Sequence, residues 1–171
     1  MAKLIFSRIG WFLFLMLLQI FIFNHIHIAG VATAFAYIYL LLILPNQTPK
    51  SLYVLTGFAM GLIVDVFNNT PGVSAAATTL VGLAVPYMFQ LLRDKDEDDD
   101  AIVTPGAHSL GWAGFTYLAL TCSLLQCLVF FIVDNFSFST PLVLLIEIAG
   151  STAFTLAVIL LFEWVRHSAH R

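Results

Sequence analysis

Long apolar runs separated by short polar breaks fill most of this 171-residue chain, and this pattern constrains its fold more than any other feature. Sixty per cent of the residues are hydrophobic and 10% are charged. An average soluble domain has about 45–50% apolar and about 25% charged residues. The sequence therefore predicts an all-α, polytopic membrane protein. It argues against a soluble enzyme and against a nucleic-acid-binding domain with a basic face.

Prolines, glycines and polar residues divide the apolar sequence into six segments of about the length that a spanning helix needs. The predicted spans are residues 4–23, 28–44, 51–67, 73–92, 110–133 and 141–165. No loop between them is long enough for a folded soluble domain, so residues 1–171 are predicted to form a single transmembrane domain. The longest polar stretch, 93–109, carries the acidic run 94–100 and is expected to be a solvated cytoplasmic loop.

Cationic residues predict the orientation of the six spans. All seven fall in the N-terminus, the second-to-third loop, the fourth-to-fifth loop and the C-terminus, and they are Lys3, Arg8, Lys50, Arg93, Lys95, Arg166 and Arg171. Six spans place these four regions on one side of the membrane, and positively charged loops stay on the cytoplasmic side. Both termini are therefore predicted to be cytoplasmic.

Asp65 is an acidic residue inside the third segment, about 21 Å along the helix from its start. This position puts it near the outer membrane surface, next to the polar turn Asn68-Asn69-Thr70-Pro71-Gly72. Asp65 and the turn are candidates for a polar surface that binds a partner protein. The alternative is that the carboxylate only accepts hydrogen bonds from the turn that follows it.

Glu147 is a second acidic group at membrane depth, about 9 Å below the outer end of the sixth segment. We expect it to face the bundle interior, towards His25 or His27 at the outer end of the first segment. The two histidines lie two residues apart, which places them on different faces of a helix but on the same face of an extended loop. Interfacial hydrogen bonding is expected for them rather than a metal site.

Gly57 and Gly61 form a Gly-x-x-x-Gly pattern in the third segment, and small residues open the fourth. This spacing lets another helix approach closely. It predicts tight packing of the third and fourth spans, either with each other or with a helix of another protein.

Catalytic and cofactor motifs do not occur in the sequence. It lacks a nucleophile elbow, a zinc-protease signature and a glycine-rich phosphate loop. Cys122 and Cys127 lie in one apolar run and are expected to be inert core thiols. The sequence therefore predicts a protein that is not an enzyme and that binds no metal or cofactor.

One stretch of the chain resembles a known family. Residues 57–72 read Gly-Phe-Ala-Met-Gly-Leu-Ile-Val-Asp-Val-Phe-Asn-Asn-Thr-Pro-Gly, and they continue into an alanine-rich segment and Val85-Pro86-Tyr87. This stretch resembles MreD, the family of rod shape-determining inner-membrane proteins of bacteria. The Asn-Asn-Thr-Pro-Gly turn is similar to that of members from the Bacteroidetes group. Motif-level resemblance covers about residues 44–92.

The resemblance implies a non-enzymatic scaffold of the cell-elongation machinery. Such proteins bind MreC, a single-span protein with a periplasmic coiled coil, and link through it to MreB filaments, to RodA and to a penicillin-binding protein. It also implies a bundle similar to the S-components of vitamin transporters. The motif positions carried over are Gly57, Gly61, Asp65, Pro71 and Gly72, which are expected to shape helix packing and the surface for the partner helix.

A second function stays open. A small-molecule-binding subunit of a vitamin transporter, of the S-component type, would need a polar pocket open to the outside. Asn24, His25, Asp65 and Glu147 are the outer residues that supply polar groups for such a pocket.

Overall fold

The computed structural model describes residues 33–93, 104–135 and 141–169, together with Gly10 and residues 17–19. Along residues 33–169 the chain forms a 3₁₀ turn at Ala36–Ile38 and then a series of α-helices. These are α1 (Tyr39–Leu42), α2 (Lys50–Asn68), α3 (Val73–Leu92), α4 (Gly111–Asp134) and α5 (Pro141–Ala169).

Four of these helices, α2 to α5, are long and apolar enough to cross a membrane. They coincide with the third to sixth predicted segments to within four residues at each end. Even the 19 residues of α2 extend about 28 Å, close to the thickness of a bilayer core. The chain is thus a helical protein with several candidate membrane spans. The first predicted segment, 4–23, lies almost entirely outside the described residues.

Consecutive long helices pack side by side, α2 on α3, α3 on α4 and α4 on α5. Neighbouring helices run antiparallel, so that the starts of α2 and α4 lie at the same end as the ends of α3 and α5. Lys50 Nζ lies 4.1 Å from the ring centre of Tyr87 at this end. The rings of Trp112 and His167 also pack edge to face there, with their centres 5.6 Å apart. We call it the basic end, because Lys50, Arg93 and Arg166 all lie at it.

Large apolar side chains cover the outside of the helices, and polar side chains lie inside. Val66 is 72% exposed and Leu91 77% exposed, whereas the side chains of Asp65, Gln126 and Glu163 are buried. Further buried polar residues of the described part are Gln19, Ser74, Thr78, Ser123, Ser151, Thr152 and Thr155. This distribution suits a lipid solvent, in which small and polar groups hold helices together.

The second predicted segment, 28–44, is not one continuous helix in its described part. Residues 33–35 are non-helical, and the 3₁₀ turn and α1 follow. Every residue from Ala34 to Leu42 is buried. The 3₁₀ turn contacts α5, and α1 contacts α2 and α3. The expectation of a spanning helix over 28–44 is therefore wrong for residues 33–35, because side chains from elsewhere replace the helical hydrogen bonds there, as described below.

Candidate functional site

The turn between α2 and α3 is organised by the carboxylate of Asp65. Asp65 Oδ1 accepts hydrogen bonds from the backbone N–H of Ser74 at 2.8 Å and from Thr70 Oγ1 at 3.0 Å. Asp65 Oδ2 accepts one from the backbone N–H of Ala75 at 2.9 Å. With 4% exposure, Asp65 is a buried group whose two oxygens both point at the start of the next helix.

Asp65 supplies the acceptors for two backbone donors at the start of α3 that have no carbonyl partner within the helix. The Val73 N–H binds the Thr70 carbonyl oxygen at 3.3 Å, and the Ala76 N–H binds that of Gly72 at 3.0 Å. The Asp65 carboxylate accepts the hydrogen bonds of the two N–H groups between them, those of Ser74 and Ala75. A negative charge is also favoured at a helix N-terminus, where the backbone dipoles point their positive ends. Asp65 therefore caps a helix to which it does not belong.

Two residues with positive φ reverse the chain between α2 and α3. Asn69 has φ 56° and ends α2, while Gly72 has φ 87° and precedes α3. Asparagine and glycine are the residues that adopt this left-handed region most readily. The Asp65 carbonyl oxygen accepts the N–H of Asn69 and, at 3.2 Å, that of Thr70. The turn is thus held by the backbone of Asp65 as well as by its side chain.

The turn is exposed at Asn69, Pro71 and Gly72, which we call its rim, although the Asp65 side chain that holds it is buried. Asn69, Pro71 and Gly72 are exposed, and Asn68 is half-buried. Phe67, the next-to-last residue of α2, is 61% exposed. The turn thus presents exposed polar residues beside exposed apolar side chains, and the buried Asp65 carboxylate holds it from inside.

The two glycines of the Gly-x-x-x-Gly pattern in α2, Gly57 and Gly61, pack against α3. A Cβ added to Gly57 would stand 2.5 Å from the Thr78 carbonyl oxygen, and one added to Gly61 would stand 2.5 Å from Ala75 Cα. Gly82 makes the reciprocal approach from α3, 2.5 Å from the Tyr53 carbonyl oxygen. Of the two expectations for this pattern, packing of the third and fourth spans with each other is the one that the structure shows.

Sequence reasoning missed a second buried carboxylate, Glu163, at the basic end. Glu163 Oε1 accepts hydrogen bonds from the Ala107 N–H at 2.7 Å and from Arg166 Nη2 at 3.1 Å. Its Oε2 accepts one from the Tyr39 hydroxyl at 2.8 Å. Arg166 also donates to the Pro105 carbonyl oxygen at 3.2 Å. A Glu and an Arg three residues apart in an apolar helix were the available signal, but their partners are distant in sequence.

Residues 33–36, which are the non-helical stretch and the first residue of the 3₁₀ turn, bind side chains through their backbone. The Thr33 N–H donates to Ser151 Oγ and the Phe35 N–H donates to Thr155 Oγ1, each at 3.0 Å. The amide of Gln19 donates to the Ala34 carbonyl oxygen and accepts the Ala36 N–H, each at 2.9 Å. Non-helical backbone at membrane depth is tolerated where protein groups satisfy it. Ser151 and Thr155 lie one turn apart on α5, so a single helix face supplies two of these groups.

Other predicted site residues are not brought to the turn. Glu147 is half-buried near the start of α5, with Asn135 Nδ2 at 3.5 Å from its Oε2. His25 and His27 lie outside the described residues, so the expected approach of Glu147 to them stays a prediction. Among the residues that the structure describes, no group of three His, Cys, Asp or Glu side chains is close enough to hold a metal ion. Cys122 and Cys127 are buried free thiols that form no disulfide.

A scan against protein-family models, a search of curated proteins and a search of solved structures each return no match to this chain. Function is therefore inferred from the sequence and the geometry.

Proposed function

We propose that this protein is a non-enzymatic membrane scaffold of the bacterial cell-elongation machinery, of the MreD type. It lies in the inner membrane with six spans and both termini in the cytoplasm. It binds an MreC-like single-span protein and so links MreB filaments to peptidoglycan synthases, which maintains the shape of the cell. The resemblance of residues 44–92 supports this assignment.

The Asp65-capped turn is the structural observation that carries the proposal. The buried carboxylate fixes Ser74 and Ala75, and so fixes how the exposed rim at Asn69 and Pro71 sits on the bundle. A partner that meets a preformed surface loses less conformational freedom on binding. Asp65 is thus a positioning residue, and the rim makes the contact.

The internal packing of Gly57 and Gly61 limits where the partner helix binds. Because both glycines already contact α3, a foreign helix cannot use them without separating the two helices. The partner helix therefore packs on the outer face, beside Val66 and Phe67, which are both largely exposed. Its soluble part then continues past the rim of the turn.

A photo-crosslinking experiment in native membranes tests this arrangement. A photoreactive amino acid at Phe67 is expected to capture a single-span protein with a coiled coil. The matched control is Ile132, an exposed apolar residue of α4 at the same end of the bundle. Equal capture at both positions, or no such protein at Phe67, would contradict the proposed surface. Loss of rod shape on depletion of the chain tests the function itself.

The S-component reading remains a second candidate because the bundle interior contains polar groups that the capping contacts do not use. Gln126 and Tyr37 lie buried together, with Gln126 Nε2 3.0 Å from the Tyr37 hydroxyl. A subunit of this type would retain a vitamin-like small molecule on purification and would copurify with an ATPase module. Mass spectrometry of the purified chain and of its bound proteins separates the two functions.

A further inference from the structure

We propose that a cavity at the basic end of the bundle binds the phosphate headgroup of an anionic phospholipid. The cavity has a volume of about 440 Å³, and it is lined by Trp112, Trp164, His167 and Ser168. Trp112 lies in the first turn of α4, and the other three lie in the last two turns of α5. We call this space the Trp112 cavity. The inference is independent of the proposed scaffold function.

The Trp112 cavity lies at the depth of the lipid headgroups. It stands between the start of α4 and the end of α5, which are neighbouring candidate membrane spans. Trp112 is 43% exposed and Trp164 is 61% exposed. Tryptophan is enriched at the membrane–water interface, where its ring lies at the headgroup level. The cavity therefore opens where phospholipid headgroups surround the protein.

The size of the Trp112 cavity suits an organic headgroup. Sites for small molecules typically have volumes of about 300–1,000 Å³. The ring of His167 packs edge to face against that of Trp112, with the ring centres 5.6 Å apart, and α4 and α5 pack directly on each other. The wall between the two helices is therefore formed before a ligand binds.

The chemistry of the lining selects an anion. Its two indole N–H groups can only donate hydrogen bonds, the Ser168 hydroxyl can donate one, and the His167 imidazole carries at least one N–H. None of the four lining residues is acidic. The acidic group closest to them along α5, Glu163, is 1% exposed and paired with Arg166. The cavity thus offers several donors and no carboxylate, which matches the oxygens of a phosphate.

The start of α4 adds a favourable field for an anion. It has no acidic residue in its first turn, and no side chain of the described part caps it. Backbone dipoles give a helix N-terminus a partial positive charge, and a phosphate is stabilised there. Trp112 is the second residue of α4, so this field reaches the cavity.

An apolar strip along α5 favours a lipid over a soluble anion. Ala157, Leu161 and Val165 are all exposed, and their spacing of four residues places them on one face of the helix. Trp164 and Ser168 continue this face into the cavity. A headgroup bound in the cavity therefore has its acyl chains against the strip.

Native mass spectrometry of the full chain in detergent tests the proposal, with phosphatidylglycerol and phosphatidylcholine titrated separately. Both lipids carry the phosphate, but phosphatidylcholine adds a quaternary ammonium that cancels its charge. We expect phosphatidylglycerol to bind more tightly by about 5-fold or more, because the donors favour a net negative headgroup. Equal affinities would overturn the proposal. Tighter binding of phosphatidylcholine would also overturn it, since the aromatic rings would then be binding a cation.

His167→Ala locates the site. The variant loses a donor to a charged group, so its binding of phosphatidylglycerol should weaken by about 5-fold or more. His108→Ala is the matched control, because His108 is an exposed histidine of the loop before α4 that does not line the cavity. Ser168→Ala, a smaller change at an exposed position, repeats the test where His167→Ala lowers the folded yield.

Two results with these proteins would overturn the site. Unaltered lipid binding in both His167→Ala and Ser168→Ala would place the lipid elsewhere. Inorganic phosphate that binds as tightly as phosphatidylglycerol would show that a free anion occupies the cavity and that the strip on α5 contributes nothing.

Discussion

The Tyr39 hydroxyl donates a 2.8 Å hydrogen bond to Glu163 Oε2, across 124 positions of sequence. Through its other oxygen, Glu163 also holds the Ala107 N–H of the loop before α4. One buried carboxylate thereby joins α1, this loop and α5 at the basic end. Arg166 on α5 supplies the compensating charge at 3.1 Å.

Glu163→Gln is expected to lower the free energy of unfolding by about 1–3 kcal/mol, because the neutral amide loses the ion pair with Arg166 and accepts weaker hydrogen bonds than a carboxylate does. The readout is thermal unfolding of the purified protein in detergent. Glu147→Gln is the matched control on the same helix, since Glu147 is half-buried with one long contact. Equal effects of the two changes would show that Glu163 does not hold the three segments together.

Asp65→Asn is expected to uncap α3, because an amide accepts hydrogen bonds at one oxygen and places a second donor against the Ser74 or Ala75 N–H. The loss of a helix cap costs about 0.5–2 kcal/mol. Hydrogen exchange should quicken at residues 73–76 while the middle of α3 stays protected. Asp134→Asn, an exposed change at the same end of the bundle, should leave exchange unaltered. Unchanged protection in Asp65→Asn would refute the capping role.

Gly61→Leu is expected to force α2 and α3 apart, since even a Cβ at this position meets the backbone of Ser74 and Ala75 at 2.5 Å. Overpacking of this kind typically costs about 1–3 kcal/mol. A leucine should cost more, because the backbone atoms of Ser74 and Ala75 cannot move aside as a flexible side chain can, and the Thr78 hydroxyl also lies against this position. Ala59→Leu adds the same side chain to the exposed face of α2 and should be tolerated. The comparison is the yield of folded protein in size-exclusion chromatography.

Thr155→Val removes the acceptor of the Phe35 N–H while keeping the shape of the side chain. A buried donor left without a partner costs about 1–3 kcal/mol. Thr152→Val on the same helix is the control, because Thr152 Oγ1 makes no hydrogen bond of good geometry and its loss should be close to neutral. Chemical unfolding of both variants in the same detergent measures the two losses of stability. A larger loss in Thr152→Val than in Thr155→Val would contradict the hydrogen bond from the Phe35 N–H to Thr155.

The sequence predicts α2 to α5 well because each is an apolar run of spanning length with a clear break at both ends. The bonding of Asp65 to its turn was open from the sequence, since a short polar turn directly after a helix offers both possibilities. Residues 33–38 could not be predicted, because Thr-Ala-Phe-Ala-Tyr-Ile has the composition of a membrane helix. The non-helical backbone of residues 33–35 depends on Ser151 and Thr155, which no local pattern connects to them.

The distance in sequence between residues 33–36 and their partners sets an order of events during biosynthesis. A ribosome adds about 5–20 residues per second, so Thr155 follows Phe35 by about 6–24 s. For that interval the amides of Thr33 and Phe35 lack the hydroxyls that they bind in the finished protein. The second segment therefore cannot take its final place when it is made. Its docking therefore waits until α5 has been made and supplies these two hydroxyls.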